Sequence, residues 1–215
     1  MSHRKTRAMP RNVVTLILLA VMALGLVACG DAGSPIASSS PPTLAQNTPA
    51  TTTQLDEPAQ VVRDGWTTFT SEADDFSVDM PGEPETSTRS MDSAVGELTF
   101  HFFQLTKGSA FYAVSYNDYP AEMTAEDLDT DNVLENGLEA TAQGSEAQNV
   151  QRIEVDGNPG VEGEATVQET NHVWYKGILV KNRFYQLVVV APEADKGEFG
   201  SEARRFTESF KLLNR

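Results

Sequence analysis

The stretch ELTFHFFQLTKGSAFYAVSYND, residues 97–118, decides the fold. Its two halves, 97–105 and 110–118, are rich in aromatic residues, the composition of strands. Lys107-Gly108-Ser109 lies between them and predicts a hairpin, because glycine takes the tight turn without strain. Phe102 and Phe103 are neighbours, so on a strand they point to opposite faces. Both faces of the sheet then carry bulk, and both need a covering layer.

Towards the C-terminus, HVWYKGILV (172–180) and RFYQLVVVA (183–191) flank Lys181-Asn182 and predict a second tight hairpin. Before it, Val161, Gly163, Ala165 and Val167 alternate with Glu162, Glu164 and Thr166, a half-buried strand with one wet face. Towards the N-terminus, GWTTFTS (65–71) and DDFSVDMPGEP (74–84) read as two short strands, the second stopped by Pro81-Gly82 and Pro84. Two segments follow a helical period instead. From Thr124 to about Gln143, Leu128, Leu134, Leu138 and Ala142 share a stripe; Thr124 is the expected N-cap, with Glu126 and Asp127 where the helix dipole favours anions. Near the C-terminus Phe199, Ala203, Phe206 and Phe210 recur at three- and four-residue spacing around Arg204 and Arg205. The expected fold class is α+β: a mostly antiparallel sheet of six to seven strands, covered by helices on both faces, over residues 64–215. No internal repeat is visible.

Phe76-Ser77-Val78 ahead of Pro81-Gly82 and Pro84, and then Tyr112-x-Val114-x-Tyr116-x-Asp118-x-Pro120, resemble the start of a PsbP-like domain. The middle helix, a turn at Gly157-Asn158-Pro159-Gly160, the Arg183-Phe184-Tyr185 strand and the closing Ser209-Phe210-Lys211-Leu212 continue the likeness over about residues 64–213. The resemblance implies an α/β/α sandwich, shared by an extrinsic photosystem II subunit and a Ran-binding nuclear import factor. Its motifs are strand and turn residues, so they indicate fold much more than activity. The chain departs from the photosystem subunit in having no recognisable metal-binding histidine cluster.

The first residues are of another kind. Arg4, Lys5, Arg7 and Arg11 make a cationic start, and Val13 to Ala28 follows with 16 uncharged residues. As a helix that run measures roughly 24 Å, short of the ~30 Å hydrocarbon core of a bilayer. A basic flank, a short apolar run and a small-residue ending predict an export signal over residues 1–28. Leu26-Val27-Ala28-Cys29 resembles the bacterial lipobox, which implies diacylglycerol on Cys29, cleavage before it and an acylated new terminus. Two or more acyl chains anchor a protein stably where one does not. Cys29 is the sole cysteine of the chain, so the exported part is expected to have no disulfide, thiolate metal site or catalytic thiol. Residues 30 to about 63, rich in Pro, Ser, Thr and Ala, cannot bury enough apolar area to fold. They predict a tether over 29–63 that holds the domain roughly 30–35 Å from the bilayer.

Removal of residues 1–28 leaves 12 basic residues against 31 acidic ones, a net charge of −19. Such a surface repels nucleic acid and anionic headgroups, so the membrane partner is reached through acyl chains. The expected site is the exported side of the cytoplasmic membrane, with a protein or envelope component as partner.

Catalytic signals are thin. Asp127, Asp129 and Asp131 fall at the first, third and fifth places of a calcium loop, but Asn132 stands where glycine is needed and Leu138 where a bidentate glutamate is needed. His101 lies within an aromatic strand and is expected in the core; His172 follows Thr170-Asn171 and is expected exposed at a turn. No nucleophile elbow, zinc-protease helix, Walker loop or dinucleotide glycine pattern occurs. The reading is therefore a non-catalytic binding or scaffolding domain with no cofactor, metal site or catalytic residue. Tyr116, Tyr119 and Trp174 are the candidate groove for an apolar ligand or partner. A carrier of a lipid or small apolar ligand, and a hydrolase with clustered titratable groups, are the alternatives.

Overall fold

The computed structural model describes residues 65–93, 95–123 and 128–213. The chain runs β1 (Thr67–Ser71), β2 (Phe76–Met80), β3 (Glu85–Ser93), β4 (Gly96–Lys107), β5 (Ala110–Asp118), α1 (Thr130–Ala142), β6 (Gln148–Val155), β7 (Asn158–Val167), β8 (Asn171–Val180) and β9 (Arg183–Pro192). A 3₁₀ turn (Glu193–Asp195), α2 (Lys196–Ser209) and β10 (Lys211–Leu212) complete it. All seven expected strands form, but they do not share one sheet. Seven strands in the order β3-β4-β5-β9-β8-β7-β6 make the main sheet, and β1-β2-β10 make a small one. Every pairing is antiparallel.

The two hairpins close as expected, Lys107 pairing with Ala110 and Val180 with Arg183. A third was not expected: Asp156 and Gly157, both at positive φ, turn β6 into β7. That φ pair suits the mirror-image turn that matches strand twist. The turn expected at Gly157-Asn158-Pro159-Gly160 thus sits one step earlier, and Asn158 to Gly160 already belong to β7. The middle helix also starts later than Thr124. Asp129 is its N-cap, accepting from Asn132 N at 3.2 Å, while Thr124, Glu126 and Asp127 lie outside the described residues.

Two apolar clusters draw on alternate residues of the same strands. One joins Phe103, Tyr112, Val114, Tyr185 and Leu187 of the main sheet to Phe76 and Val78 of β2 and to Ala203 and Phe206 of α2. The other joins Phe102, Val161, Ala165, Tyr175 and Phe184 to Leu134 and Leu138 of α1. Phe102 and Phe103 therefore go where adjacent strand residues must. Fully buried Phe76 and Phe206 each stabilise the fold by about 1.5–3 kcal/mol. The small sheet is latched to the main one at Asp74, whose carbonyl accepts from Tyr185 Oη at 2.8 Å and Arg183 Nη1 at 3.2 Å, and whose carboxylate accepts from Tyr116 Oη.

Candidate functional site

Strand β7 builds the floor of the site. Val161, Gly163, Ala165 and Val167 face the α1 cluster, which leaves Glu162, Glu164 and Thr166 on the opposite side. Across the β7–β8 ladder those three stand against Lys176, Trp174 and His172 in turn. Helix α2 packs on β2, β8 and β9 and roofs only part of this floor. Its Gly200, Arg204, Thr207 and Glu208 recur at helical spacing and face the gap. The result is a cavity of about 320 Å³, with Asn149 and Gln151 of β6 at one side.

The cavity walls are held by charge-assisted hydrogen bonds. His172, only 4% exposed, places Nε2 3.1 Å from Glu164 Oε2 and Nδ1 3.0 Å from Glu193 Oε2. A neutral ring donates to one of these carboxylates, and a protonated ring donates to both. Glu193 also accepts from Lys196 Nζ at 2.5 Å and from Thr166 Oγ1 at 3.0 Å. Its carboxyl is held down to about 2, chiefly by the Lys196 hydrogen bond, with His172 and Thr166 adding to it. Lys176 is nearly buried as well. Its Nζ lies 3.6 Å from Glu162 Oε2 and donates at 3.1 Å to the carbonyl of Thr207. That carbonyl belongs to the last turn of α2, where backbone acceptors have no helical partner and the dipole favours a cation. Helix α2 has no basic residue in its last turn, so its cap comes from another strand.

His172 corrects the expectation of an exposed turn residue. The turn ends one residue sooner, at Thr170, and β8 carries the ring inward, edge-on to Trp174 at 4.4 Å and 66°. His101 is half-buried rather than a core residue, stacked on Tyr116 at 4.5 Å and 4°. Of the three groove candidates, only Trp174 lines the cavity. Tyr116 is 3% exposed in the α2-side cluster beneath Arg183, and Tyr119 is 8% exposed in the α1-side cluster, its phenol pushed up to about 12 by burial. Cys29 and the Leu26-Val27-Ala28 stretch lie outside the described residues. Among the described residues no group of three or more His, Cys, Asp and Glu is placed to hold a metal, and no helix is long and apolar enough to cross a membrane.

Part of the site was visible in advance as the wet face of β7. The rest was not marked. Gly200, Arg204, Thr207 and Glu208 carry a helical spacing, but nothing in the sequence tells that this stripe faces Glu162 and Glu164.

No protein-family model matches this chain, and no curated protein matches it. Among solved structures, the cyanobacterial PsbP (CyanoP) of Synechocystis sp. PCC 6803 is similar over 74% of this chain and 98% of its own, at 15% identity and a TM-score of 0.49. A Bacteroides thetaiotaomicron protein is similar over 71% of this chain and 50% of its own, at 11% identity and a TM-score of 0.42. Protein PA94 of Pseudomonas aeruginosa, described as a putative regulator of unknown function, follows at 9% identity and a TM-score of 0.36, over 70% of this chain and 97% of its own. At these values the likenesses carry no function across.

Proposed function

We propose that this protein is a lipid-anchored bacterial lipoprotein whose PsbP-like sandwich works as a non-catalytic binding module on the exported side of the cytoplasmic membrane. Acyl chains on Cys29 give it location, residues 30–63 give it reach, and the domain makes the contact. Its partner is a protein or envelope component at the membrane. The observation that supports binding is the cavity between β7, β8 and α2. Two of its carboxylates have partners at the wall, Glu164 in contact with His172 and Glu162 paired with Lys176. The polar walls also speak against the carrier of an apolar ligand, for which a lining of aliphatic and aromatic groups is needed.

The anchor is tested by changing Cys29→Ala, or by treating cells with globomycin, and following the chain through detergent-phase partitioning. The expected result is transfer of the variant from the detergent phase to the aqueous phase, and an uncleaved precursor under globomycin. A variant that partitions with membranes as the parent does would remove the lipoprotein reading.

A further inference from the structure

We propose that the cavity between β6–β8 and α2 binds a small organic cation, an alkylammonium or quaternary ammonium group. This rests on the reading of the cavity as a binding site and names the ligand class.

The charged side chains on its walls are Glu162, Glu164 and Glu208 against Arg204. Behind the walls, Lys176 pairs with Glu162 and His172 contacts Glu164. Lys176 is nearly buried and makes its shorter contact with the α2 carbonyl of Thr207, 3.1 Å against 3.6 Å to Glu162. His172 engages Glu164 through Oε2 alone, which leaves Oε1 of that carboxylate for a ligand. Trp174 stands directly opposite Glu164 in the β7–β8 register, so ring and carboxylate share one side of the sheet as close neighbours. An indole ring is the best of the aromatic faces for a cation, and the attraction grows when the site is desolvated. An edge contact with His172 holds that ring in place. The volume of about 320 Å³ stands at the lower end of small-ligand sites. The acidic mature chain raises the local concentration of cations at its mouth.

Other ligand classes fit less well. An anion would meet three carboxylates, against the Arg204 guanidinium and the nearly buried Lys176 ammonium beside Glu162. A hard divalent ion needs several oxygens converging on one point, and among the described residues no such group is placed. A soft organic cation needs only a ring and dispersed negative charge, and both are here.

The chain has two tryptophans, Trp66 and Trp174. In the full-length protein in dodecyl maltoside carrying Trp66→Phe, fluorescence reports Trp174 alone. Choline and tetramethylammonium should change it saturably, and 3,3-dimethylbutan-1-ol, the neutral isostere of choline, should not. Glu164→Gln should weaken choline about tenfold, and Glu208→Gln should weaken it by a smaller factor. Because Trp66 is 4% exposed and its replacement could disturb the core, saturation-transfer NMR on choline methyl protons with the unaltered chain gives the same comparison. An equal response to the neutral isostere, or an affinity that neither glutamate variant changes, overturns the proposal. Saturable binding of acetate or the isostere without choline would remove the cation and keep the cavity as a binding site. Silence towards every probe would remove both.

Discussion

Gly137 sits in the middle of α1, and Gly137→Ala should destabilise the protein although alanine is the better helix former. On an open helix the change stabilises by about 1 kcal/mol. Here a Cβ on residue 137 would meet Phe184 Cζ at 2.7 Å and Cε1 at 2.9 Å, and would overlap Tyr175 Oη as well. Neither ring has room to retreat, since Tyr175 is 2% and Phe184 4% exposed. From the other side Gly177 of β8 presses on the same pair, with its own Cβ position 2.7 Å from Tyr175 Oη and 3.2 Å from Phe184 Cε2. Overpacking of this kind costs about 1–3 kcal/mol, and moving Tyr175 would also loosen its long hydrogen bond to Gln186. The net expectation is a loss of about 1–2 kcal/mol after the helix gain is subtracted. Gly200→Ala in α2 is the control, because a Cβ there meets nothing within 4 Å. It should stabilise by up to about 1 kcal/mol. Urea denaturation followed by far-UV circular dichroism measures both. If Gly137→Ala gains stability as Gly200→Ala does, α1 does not lie this close to β8 and β9, and the account of the α1 side of the sheet is wrong.

Glu193 gives a pH signature. Its folded-state value of about 2 lies below the ordinary 4.5, so the unfolded chain takes up the proton first. The stability it contributes is present above about pH 4.5 and is lost as pH falls towards about 2. Denaturation midpoints should therefore drop more between about pH 5 and 3 in the parent than in Glu193→Gln, and parallel curves would refute the hydrogen-bonded role. Arg183 forks Asp118 at 2.6 and 2.8 Å and lies 4.3 Å over the Tyr116 ring. Lysine can reproduce neither the fork nor the stacking, so Arg183→Lys should cost about 1–2 kcal/mol in urea unfolding, and an unchanged midpoint would show that the latch at Asp74 does not need it.

The elements that were legible in advance are those whose evidence is local. Phe102 and Phe103 announce a two-faced sheet, Gly108 and Lys181 sit at φ 62 and 55 where tight turns were expected, and Phe199, Ala203 and Phe206 mark α2 by spacing alone. Strands β3 and β6 were illegible for a physical reason. Each lies at an edge of the main sheet, and their residues are mostly exposed, as in ETSTRSMDS. An edge strand has no second neighbour and no buried face to enforce alternation, and polar residues there discourage pairing with other chains. His172 was misread because its neighbours Thr170 and Asn171 look like a turn, while the partners that bury it, Glu164 and Glu193, lie 8 and 21 residues away.

Hydrophobic period, turn residues and the run ahead of Cys29 are properties of consecutive residues, and by themselves they mark most of the strands and both helices and predict an anchor. Which strands share a sheet, where α2 stops covering β7, and which carboxylates meet Trp174 depend on segments far apart in the chain. Those contacts exist only once long-range pairing has brought the pieces together, and no single segment carries their record.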